Sequence, residues 1–322
     1  MSEKVPTEAL VVEGMPEKWR EPVMILAFAG WNDAAESATA AAEFLVQSWS
    51  GKRFAYIDAE EFYHFALLRP MVRFKDKTSR EREIVWPANQ FYRSQASGLP
   101  RDVIIGIGVE PHLRWKTYCQ SLLDLARQCE VSRIVTLGAF LADVPHTRPT
   151  KVSCVTTDVE LAGRLRATFT RYEGPTGIVG VLNDKARGAN LSTISLWAQV
   201  PHYVSEVRNP HAILALVQRV LDLLDWKADL TILEESAGRF DAQLAEILAQ
   251  NPNVAQHVKQ LEERDREGGK DEEESGEAGL ELPSTSELMV EIEQFLRQNR
   301  RESGPKGPRE GGPGKEKEKE KE

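Results

Sequence analysis

The sequence predicts an α/β protein whose core is a three-layer α/β/α sandwich. Between residues 23 and 226, short apolar runs typical of buried strands alternate with longer amphipathic or alanine-rich stretches typical of helices. Glycine, proline and acidic residues separate the two kinds of segment. Strands that alternate with helices pair mostly in parallel, so we expect helices on both faces of a central sheet.

Changes in composition divide the chain into four segments. We predict an N-terminal arm over 1–22, the α/β/α core over 23–226, a C-terminal helical appendage over 227–264 and a mostly disordered, acidic, low-complexity tail over 265–322. The tail has too few apolar residues to form a core of its own. Only 283–301 has the apolar spacing of an amphipathic helix, which would be a docking element or a helix that forms transiently.

The core begins with a strand, a sharp corner and a helix. Six apolar residues predict a buried strand over 23–28, and small residues predict a helix over 34–45 that lies close on the sheet. Asn32 or Asp33 is a natural N-cap for that helix, and Glu36 completes a capping-box-like pattern. Open α/β sheets bind ligands at such corners, so the candidate ligand-binding residues here are Gly30, Trp31, Asn32 and Asp33.

The later strands are predicted from apolar runs that end at turn signals. They lie at 54–57, 102–109, 133–139, 152–156 and 198–203. A β-hairpin is predicted at 69–74 and 82–86, because two short strand-like runs flank a polar tip and Pro87 ends the second run.

The later helices are predicted from caps and apolar stripes. They lie at 113–129, 158–169, 210–226, 229–250 and from 251–253 to about 264, and a further helix follows the glycine-rich stretch 174–182 and ends at Gly188. Pro210 occupies the first turn of its helix, a favoured position for proline.

Composition narrows the function classes. A net charge of −9 argues against a nucleic-acid partner, which favours a basic surface. Three cysteines without metal-ligand spacing indicate reduced thiols and a cytoplasmic protein. The N-terminus lacks the pattern of a signal peptide, and no apolar run reaches the ~20 residues of a membrane helix, so we expect no membrane association.

Several acidic and imidazole side chains follow predicted central strands. These weak catalytic candidates are Asp33, Glu110, His112, Asp143 and His146. If they meet at one edge of the sheet, they would act as general acids and bases or hold a metal. The alternative is structural, with Asp33 as a helix cap and the others as solvated loop residues. No metal or cofactor motif is present.

The glycine-rich stretch GPTGIVGVL is a second candidate binding site. A helix that starts after Gly174, Thr176 and Gly177 would hold an anion through its backbone N–H groups. The stretch lacks the Gly-Lys-Ser/Thr of a phosphate loop, and a tight packing turn is the alternative. No Ser lies in a G-x-S-x-G pattern, which argues against an α/β-hydrolase.

Distinctive motifs resemble the proteasome assembly chaperone family, of the second-subunit type and its actinobacterial branch. They are FAGWNDAAESATAAAEFL, GIGVEPHLRW, TLGAFLADVPHTRP, GPTGIVGVLNDKARGANLSTISLWAQVPHYV and NPHAILALVQRVLDLL. The resemblance implies a phosphorylase/hydrolase-like α/β/α sandwich, homo-oligomers and proteasome subunits as partners. Archaeal and eukaryotic relatives dock through a C-terminal hydrophobic–tyrosine–any tripeptide, and this chain departs from that pattern with Glu320-Lys321-Glu322.

Two functions remain from the sequence. One is a non-catalytic chaperone-like or scaffold protein without a cofactor. The other is a small-ligand-binding protein or an enzyme of the hydrolase, phosphorylase or ATP-dependent ligase type that uses the loops at the strand ends. A fold alone does not determine a function. The two functions can be distinguished by whether the five acidic and imidazole side chains converge in a pocket.

Overall fold

A computed structural model describes residues 9–76, 80–95, 99–156, 162–163, 167, 173–205 and 207–267. Its strands are β1 (Leu10–Val12), β2 (Val23–Ala29), β3 (Lys52–Ile57), β4 (Met71–Phe74), β5 (Arg82–Val85), β6 (Asn89–Ser94), β7 (Val103–Val109), β8 (Arg133–Ala142), β9 (Val152–Thr156) and β10 (Ser192–Pro201). Its α-helices are α1 (Ser37–Ser48), α2 (Trp115–Gln128), α3 (Ile178–Gly188), α4 (Pro210–Leu224), α5 (Thr231–Gln250) and α6 (Pro252–Glu267).

Eight strands form the main sheet in the order β1-β3-β6-β7-β2-β8-β10-β9. The four central strands, β7, β2, β8 and β10, run parallel. β6 and β9 are antiparallel to this block, and β3 is antiparallel to β6. The carboxyl ends of β2, β3, β7, β8 and β10 therefore share one side of the sheet, which we call the carboxyl edge. β4 and β5 form a separate two-stranded sheet.

Helices cover both faces of the main sheet, which confirms the predicted α/β/α sandwich. On β2, Val23, Ile25 and Ala27 point to the cluster that includes α1 and α4. The alternate residues, among them Leu26 and Phe28, point to the cluster that includes α2 and α3. All of these residues are buried, as a central parallel strand requires. The alanine-rich face of α1 lets this helix approach the sheet closely.

The helices α5 and α6 pack beyond the sandwich. Their apolar residues, Phe240, Leu244 and Ile247 on α5 and Val254, Val258 and Leu261 on α6, form a third cluster with Tyr203 and Val204. The last two residues belong to one turn of 3₁₀ helix, His202–Val204, directly after β10. The C-terminal helices therefore cover the carboxyl end of β10. Among the described residues, no helix has the length and apolar character to cross a membrane.

Some predicted bounds are wrong. β10 occupies Ser192–Pro201, so it begins six residues and ends two residues earlier than predicted, and β8 continues to Ala142 through part of the expected loop. β6 was not predicted, and the arm over 1–22 contains β1, which pairs antiparallel with β3. The hairpin β4–β5 is confirmed.

Two predicted helices fall outside the described residues. One is the segment 158–169, of which only 162–163 and 167 are described. The other is the segment 283–301 in the tail, since the description ends at residue 267.

Candidate functional site

In the corner after β2, one side chain is exposed to solvent and two are buried. Gly30 has φ +121°, a conformation that glycine adopts without strain. Trp31 is 54% exposed, whereas Asn32 and Asp33 are buried. The backbone of Asn32 accepts a hydrogen bond from Ala139 N at 2.9 Å, which ties the corner to β8.

Asp33 caps the helix α1. Its Oδ1 accepts hydrogen bonds from Ala38 N at 2.6 Å and from Thr39 N at 3.3 Å, and its Oδ2 accepts one from the Thr39 hydroxyl. Burial raises the pKa of this carboxyl, while the hydrogen bonds to Thr39 and Ala38 oppose the rise. Both oxygens are engaged with the chain itself, so Asp33 serves the helix terminus.

The predicted capping box with Glu36 does not form. Ala34–Glu36 makes a turn of 3₁₀ helix in which Ala35 and Glu36 have φ of 51° and 50°. This left-handed backbone costs roughly 1–2 kcal/mol per residue. The Glu36 carboxylate points away from the turn and pairs with Arg208 Nε at 2.6 Å.

The side chain of Glu110 lies at the N-terminus of α3. Its Oε1 accepts hydrogen bonds from Ile178 N at 2.7 Å and from Asn32 Nδ2 at 2.9 Å. The place where a helix N-terminus would hold an anion is therefore taken by the chain's own carboxylate. Gly174 and Thr176 lie exposed in the turn that leads into this helix.

Gly177 lets these groups come together. A Cβ atom on Gly177 would lie 2.5 Å from Asn32 Oδ1 and 2.9 Å from Glu110 Oε1, closer than real Cβ contacts. The two strand ends and the turn before α3 thus meet in one cluster, which we call the polar knot: Asn32, Glu110, Gly177 and Ile178. Asn32 Oδ1 is buried in the knot without a hydrogen-bond partner among the described residues.

His112 lies beside the polar knot on the loop after β7. Its Nδ1 accepts a hydrogen bond from His64 N at 3.1 Å, and its ring packs edge-on against Tyr63 with the centroids 5.8 Å apart. The Tyr63 hydroxyl donates to Val109 O at 2.6 Å and contacts the Asn89 amide. These contacts fix the loop between β3 and the hairpin against the end of β7.

Asp143 and His146 belong to a second cluster at the C-terminal helices. Asp143 Oδ1 lies 2.9 Å from His202 Nδ1. The Tyr203 hydroxyl accepts a hydrogen bond from His146 N and lies 2.8 Å from His146 Nδ1. His257 on α6 packs edge-on against both His202 and Tyr203. We call these five residues the histidine cluster.

Burial is the main cause of the pKa shifts in the histidine cluster. It lowers the pKa of His146 and of His257 below the ordinary value of 6.5, and the neighbouring His202 lowers that of His257 further. Both imidazoles therefore favour the neutral form. No group of three or more potential metal ligands is present in the described ranges.

The five catalytic candidates thus divide between two places. Asp33 and Glu110 cap the helices α1 and α3 near each other, and His112 holds a loop beside them. Asp143 and His146 instead contact His202 and Tyr203 in the 3₁₀ turn after β10. In the part of the chain that the structure describes, no hydrogen bond or ion pair joins the polar knot to the histidine cluster. A cavity beside the histidine cluster is lined by His146, Arg148, Lys151 and Asp265 among others.

Exposed apolar side chains at the carboxyl edge form a feature that the sequence analysis missed. Three of them lie at or beyond the carboxyl ends of adjacent central strands, each about half exposed, and form what we call the edge patch: Trp31 after β2, Leu113 in the loop after β7 and Leu141 near the end of β8. Six more lie on or beside the hairpin β4–β5 and form what we call the apolar arm: Leu67, Met71, Val72, Phe74, Ile84 and Trp86. Of the exposed large apolar residues described, only Met15 and Ile232 lie elsewhere.

Known structures share this architecture. A PAC2 family protein from Streptomyces avermitilis is 42% identical, with a TM-score of 0.68 over 74% of this chain and 99% of its own. A proteasome-assembly chaperone homologue from Mycobacterium tuberculosis is 40% identical, with a TM-score of 0.66 over 73% of this chain and 99% of its own. An archaeal proteasome activator from Pyrococcus furiosus is 20% identical, with a TM-score of 0.60 over 74% of this chain and 97% of its own, a likeness of fold alone.

The sequence itself matches a family over most of the folded chain. The PAC2 family matches residues 27–248, which include the polar knot, the arm, the edge patch and most of α5. A comparison with curated proteins gives no match. The family match and the two actinobacterial structures agree, and they show that the chain belongs to the PAC2 family.

Proposed function

We propose that this chain is a non-catalytic, chaperone-like protein of the cytoplasm that works as a homo-oligomer and binds proteasome subunits. The family match supports this function, as does the likeness to a protein described as a proteasome-assembly chaperone homologue. The likeness to an archaeal proteasome activator extends the same fold to another protein of the proteasome system.

The observation that carries the proposal is the concentration of exposed apolar surface at the carboxyl edge. Nine large apolar side chains lie there, with exposures from 47% to 73%. Such surfaces on soluble proteins mark contacts with other proteins. Aromatic and methionine side chains, which are enriched at protein interfaces, are among them: Trp31, Met71, Phe74 and Trp86.

The state of the polar groups at the same edge also supports a binding role. The carboxylates of Asp33 and Glu110 accept hydrogen bonds from helix N-termini, and Glu110 adds one from Asn32. A catalytic acid or base must reach a substrate proton. These carboxylates stabilise the corner that presents Trp31 instead.

A reconstitution with purified components tests the function. The full-length chain is added to separately purified proteasome α and β subunits, and complexes are followed on native gels and by peptidase activity. We expect a complex with one of the subunits and faster formation of the core particle. An unrelated α/β protein of similar size at the same concentration is the control. The proposal is wrong if the chain neither binds a subunit nor changes the rate or yield of assembly.

A further inference from the structure

We propose that α6 covers a docking groove for an acidic amphipathic helix of another protein, and that the groove opens when α6 swings away. The groove, which we call the α6 groove, lies between α5 and the 3₁₀ turn after β10. Its apolar floor consists of five side chains: Tyr203, Val204, Phe240, Leu244 and Ile247. The inference does not rest on the proposed function, because α6 itself shows which kind of helix the groove accepts.

α6 fills the groove with one narrow apolar stripe. Val254, Val258 and Leu261 are at most 4% exposed, and no other side chain described on α6 is buried. The spacing i, i+4, i+7 places these three residues on one side of the helix. Amphipathic helices dock into apolar grooves of other proteins with the same spacing.

Acidic residues of α6 meet polar groups at one end of the groove. The Thr147 hydroxyl donates a hydrogen bond to Glu262 Oε1 at 2.5 Å, and Lys151 Nζ lies 2.9 Å from Asp265 Oδ1. Arg148 Nε lies 3.8 Å from the other oxygen of Asp265. The loop after β8 therefore favours a helix with acidic residues at i+8 and i+11, counted from the first residue of the stripe.

α6 can leave the groove while the sandwich stays closed. Its three buried side chains belong to the third apolar cluster, which shares no residue with the clusters on the two faces of the sheet. In contrast, α5 is anchored to the sandwich by Leu233, which lies in the cluster with α4. One residue, Asn251, connects α5 to α6, so a change in its φ and ψ moves α6 as a unit.

α6 is also an imperfect occupant of the groove. His257, at i+3, packs edge-on against His202 and Tyr203. Its Nε2 is buried without a hydrogen-bond partner among the described residues. A buried polar atom without a partner costs free energy. A helix with an apolar residue at i+3 avoids this cost, which gives a partner helix the advantage that it needs to displace α6.

A labelled peptide measures whether the groove opens. The probe is a fluorescein-labelled peptide of residues 251–267 that carries His257→Leu, and its binding to the full-length chain is followed by anisotropy. The release variant, Val258→Asp, places a charge on the buried side of α6. The matched control, Gln260→Asp, places the same charge on the exposed side.

We expect the release variant to bind the probe at least about 10-fold more tightly than the wild type and the control do. The reason is that a site occupied most of the time by α6 has a lower apparent affinity. The unmodified peptide, with His257, should bind more weakly than the probe. Equal binding by all three chains, or binding by none, overturns the inference.

A charge exchange tests the acidic end of the docked helix. In the release variant, a further Lys151→Asp change should weaken binding of the probe up to about fivefold, the range of an exposed ion pair. Asp265→Lys in the probe should restore the affinity. A Lys151→Asp change without effect, or a loss that the exchanged probe does not restore, contradicts the predicted chemistry of the partner helix.

A peptide of the tail tests the alternative that the groove serves this chain's own segment 283–301. Leu288, Ile292 and Phe295 have the spacing i, i+4, i+7, but Leu296 and Asn299 stand at the positions for acidic residues. We therefore expect no competition with the probe. Competition at similar concentration overturns the assignment to another protein in favour of the tail.

A cross-link keeps the test decisive if the release variant folds poorly. A photoreactive phenylalanine in place of Leu261 of the probe, added in excess to the wild type, should capture a peptide that contains Tyr203 or Leu244. Capture elsewhere, or no capture, contradicts the inference. Proteasome subunits are absent from these experiments, so a failure here is distinct from a failure of the proposed function.

Discussion

At the scale of single residues, Asp33 and Glu110 show that a carboxyl group whose role is open in the sequence has one defined role in the structure. The sequence allowed either a helix cap or a general acid or base for Asp33. In the structure, its two oxygens accept three hydrogen bonds from Ala38 and Thr39. Glu110 does the same for α3 from a position 68 residues earlier in the chain. Spacing in sequence could not reveal that second contact, since it depends on how the strand ends align.

Two substitutions of Asp33 should separate what its hydrogen bonds contribute to stability from what its charge contributes. Asp33→Ala removes the acceptor for three donors, and we expect a loss of about 2 kcal/mol in the free energy of unfolding, as for other lost caps. Asp33→Asn keeps an acceptor and removes the buried charge, so we expect a smaller loss. Urea unfolding of both variants measures the difference. Equal losses would contradict the assignment as a cap.

The charge of Asp33 should also give a defined pH dependence. Burial raises its pKa in the folded state above the ordinary 3.8, so the folded chain binds a proton there more readily than the unfolded chain does. The stability of the wild type relative to Asp33→Asn should therefore rise as the pH falls from 7 towards 4. Urea unfolding of the two proteins at several pH values tests this, and parallel pH profiles would contradict it.

A larger side chain at Gly177 tests whether the polar knot is closely packed. Its φ of −85° suits any residue, so only the contacts with Asn32 and Glu110 exclude a side chain. We expect Gly177→Ala to lower the free energy of unfolding by about 1–3 kcal/mol, the usual cost of overpacking. The matched control is Gly188→Ala at the end of α3, where a Cβ meets nothing within 4 Å. That change should be neutral or stabilise slightly, and a similar loss in both variants would contradict the knot.

At the scale of elements, the sequence predicted those strands whose apolar residues are continuous. β2, β7 and β8 are such runs. The sequence predicts β10 too late in the chain, because Ser192, Thr193 and Ser195 make the first half of this strand polar. In the structure, the Ser195 hydroxyl lies 2.7 Å from Thr136 Oγ1 and accepts a hydrogen bond from Asn183 at 2.8 Å. Hydrogen bonds thus let these side chains enter the core, a compensation that residue order alone does not show.

β6 and the edge patch were missed for related reasons. β6 has the sequence NQFYRS, in which Phe91 is the single buried residue that is fully apolar. The alternation of apolar and polar residues is therefore too weak to predict a strand. The edge patch consists of three residues far apart in sequence that share one part of the carboxyl edge only because β7, β2 and β8 are neighbours. Strand order was not predictable from the alternation of elements, so neither was the patch.

The contact between α6 and the sandwich should weaken in acid. The pKa values of His146 and His257 are lowered below 6.5 in the folded state, so the unfolded chain binds more protons and stability is lost as the pH falls below about 6.5. A proton on His257 would also face His202 and Arg264, while Asp143 offsets part of the repulsion. Tyr203 packs on the same ring as a neutral group.

Hydrogen exchange measures this effect on α6 directly. After correction for the intrinsic rate, amides of Pro252–Glu267 should exchange faster at pH 5.5 than at pH 7.5. His257→Gln should reduce the difference, whereas His64→Gln, an exposed histidine on the loop after β3, should leave it unchanged. Equal protection of α6 at the two pH values in the wild type would show that the histidines do not control this contact.

At the scale of the whole molecule, the folded body and the tail are predicted to be separable. Among the described residues, which end at 267, three apolar clusters hold the sandwich and the C-terminal helices. The arm and the edge patch also lie in this part. Composition predicts an acidic, low-complexity tail over 265–322, and Asp265, in the last turn of α6, pairs with Lys151 at 2.9 Å.

Removal of residues 268–322 should therefore leave both folding and self-association intact. Hydrophobic burial supplies most of the stability of a domain, so we expect the free energy of unfolding of the chain 1–267 to match that of the full chain within about 0.5 kcal/mol.

Removal of residues 265–322 makes a matched second truncation. It also deletes Asp265 and the last turn of α6, and it should cost more because Lys151 and Arg148 lose their carboxylate partner. Urea unfolding and light scattering on both truncations check these expectations. A chain 1–267 that unfolds or becomes monomeric would place a structural contact in the tail. Normal folding with loss of binding to a proteasome subunit in the reconstitution would instead assign the tail to partner binding, as the amphipathic spacing of 283–301 suggests.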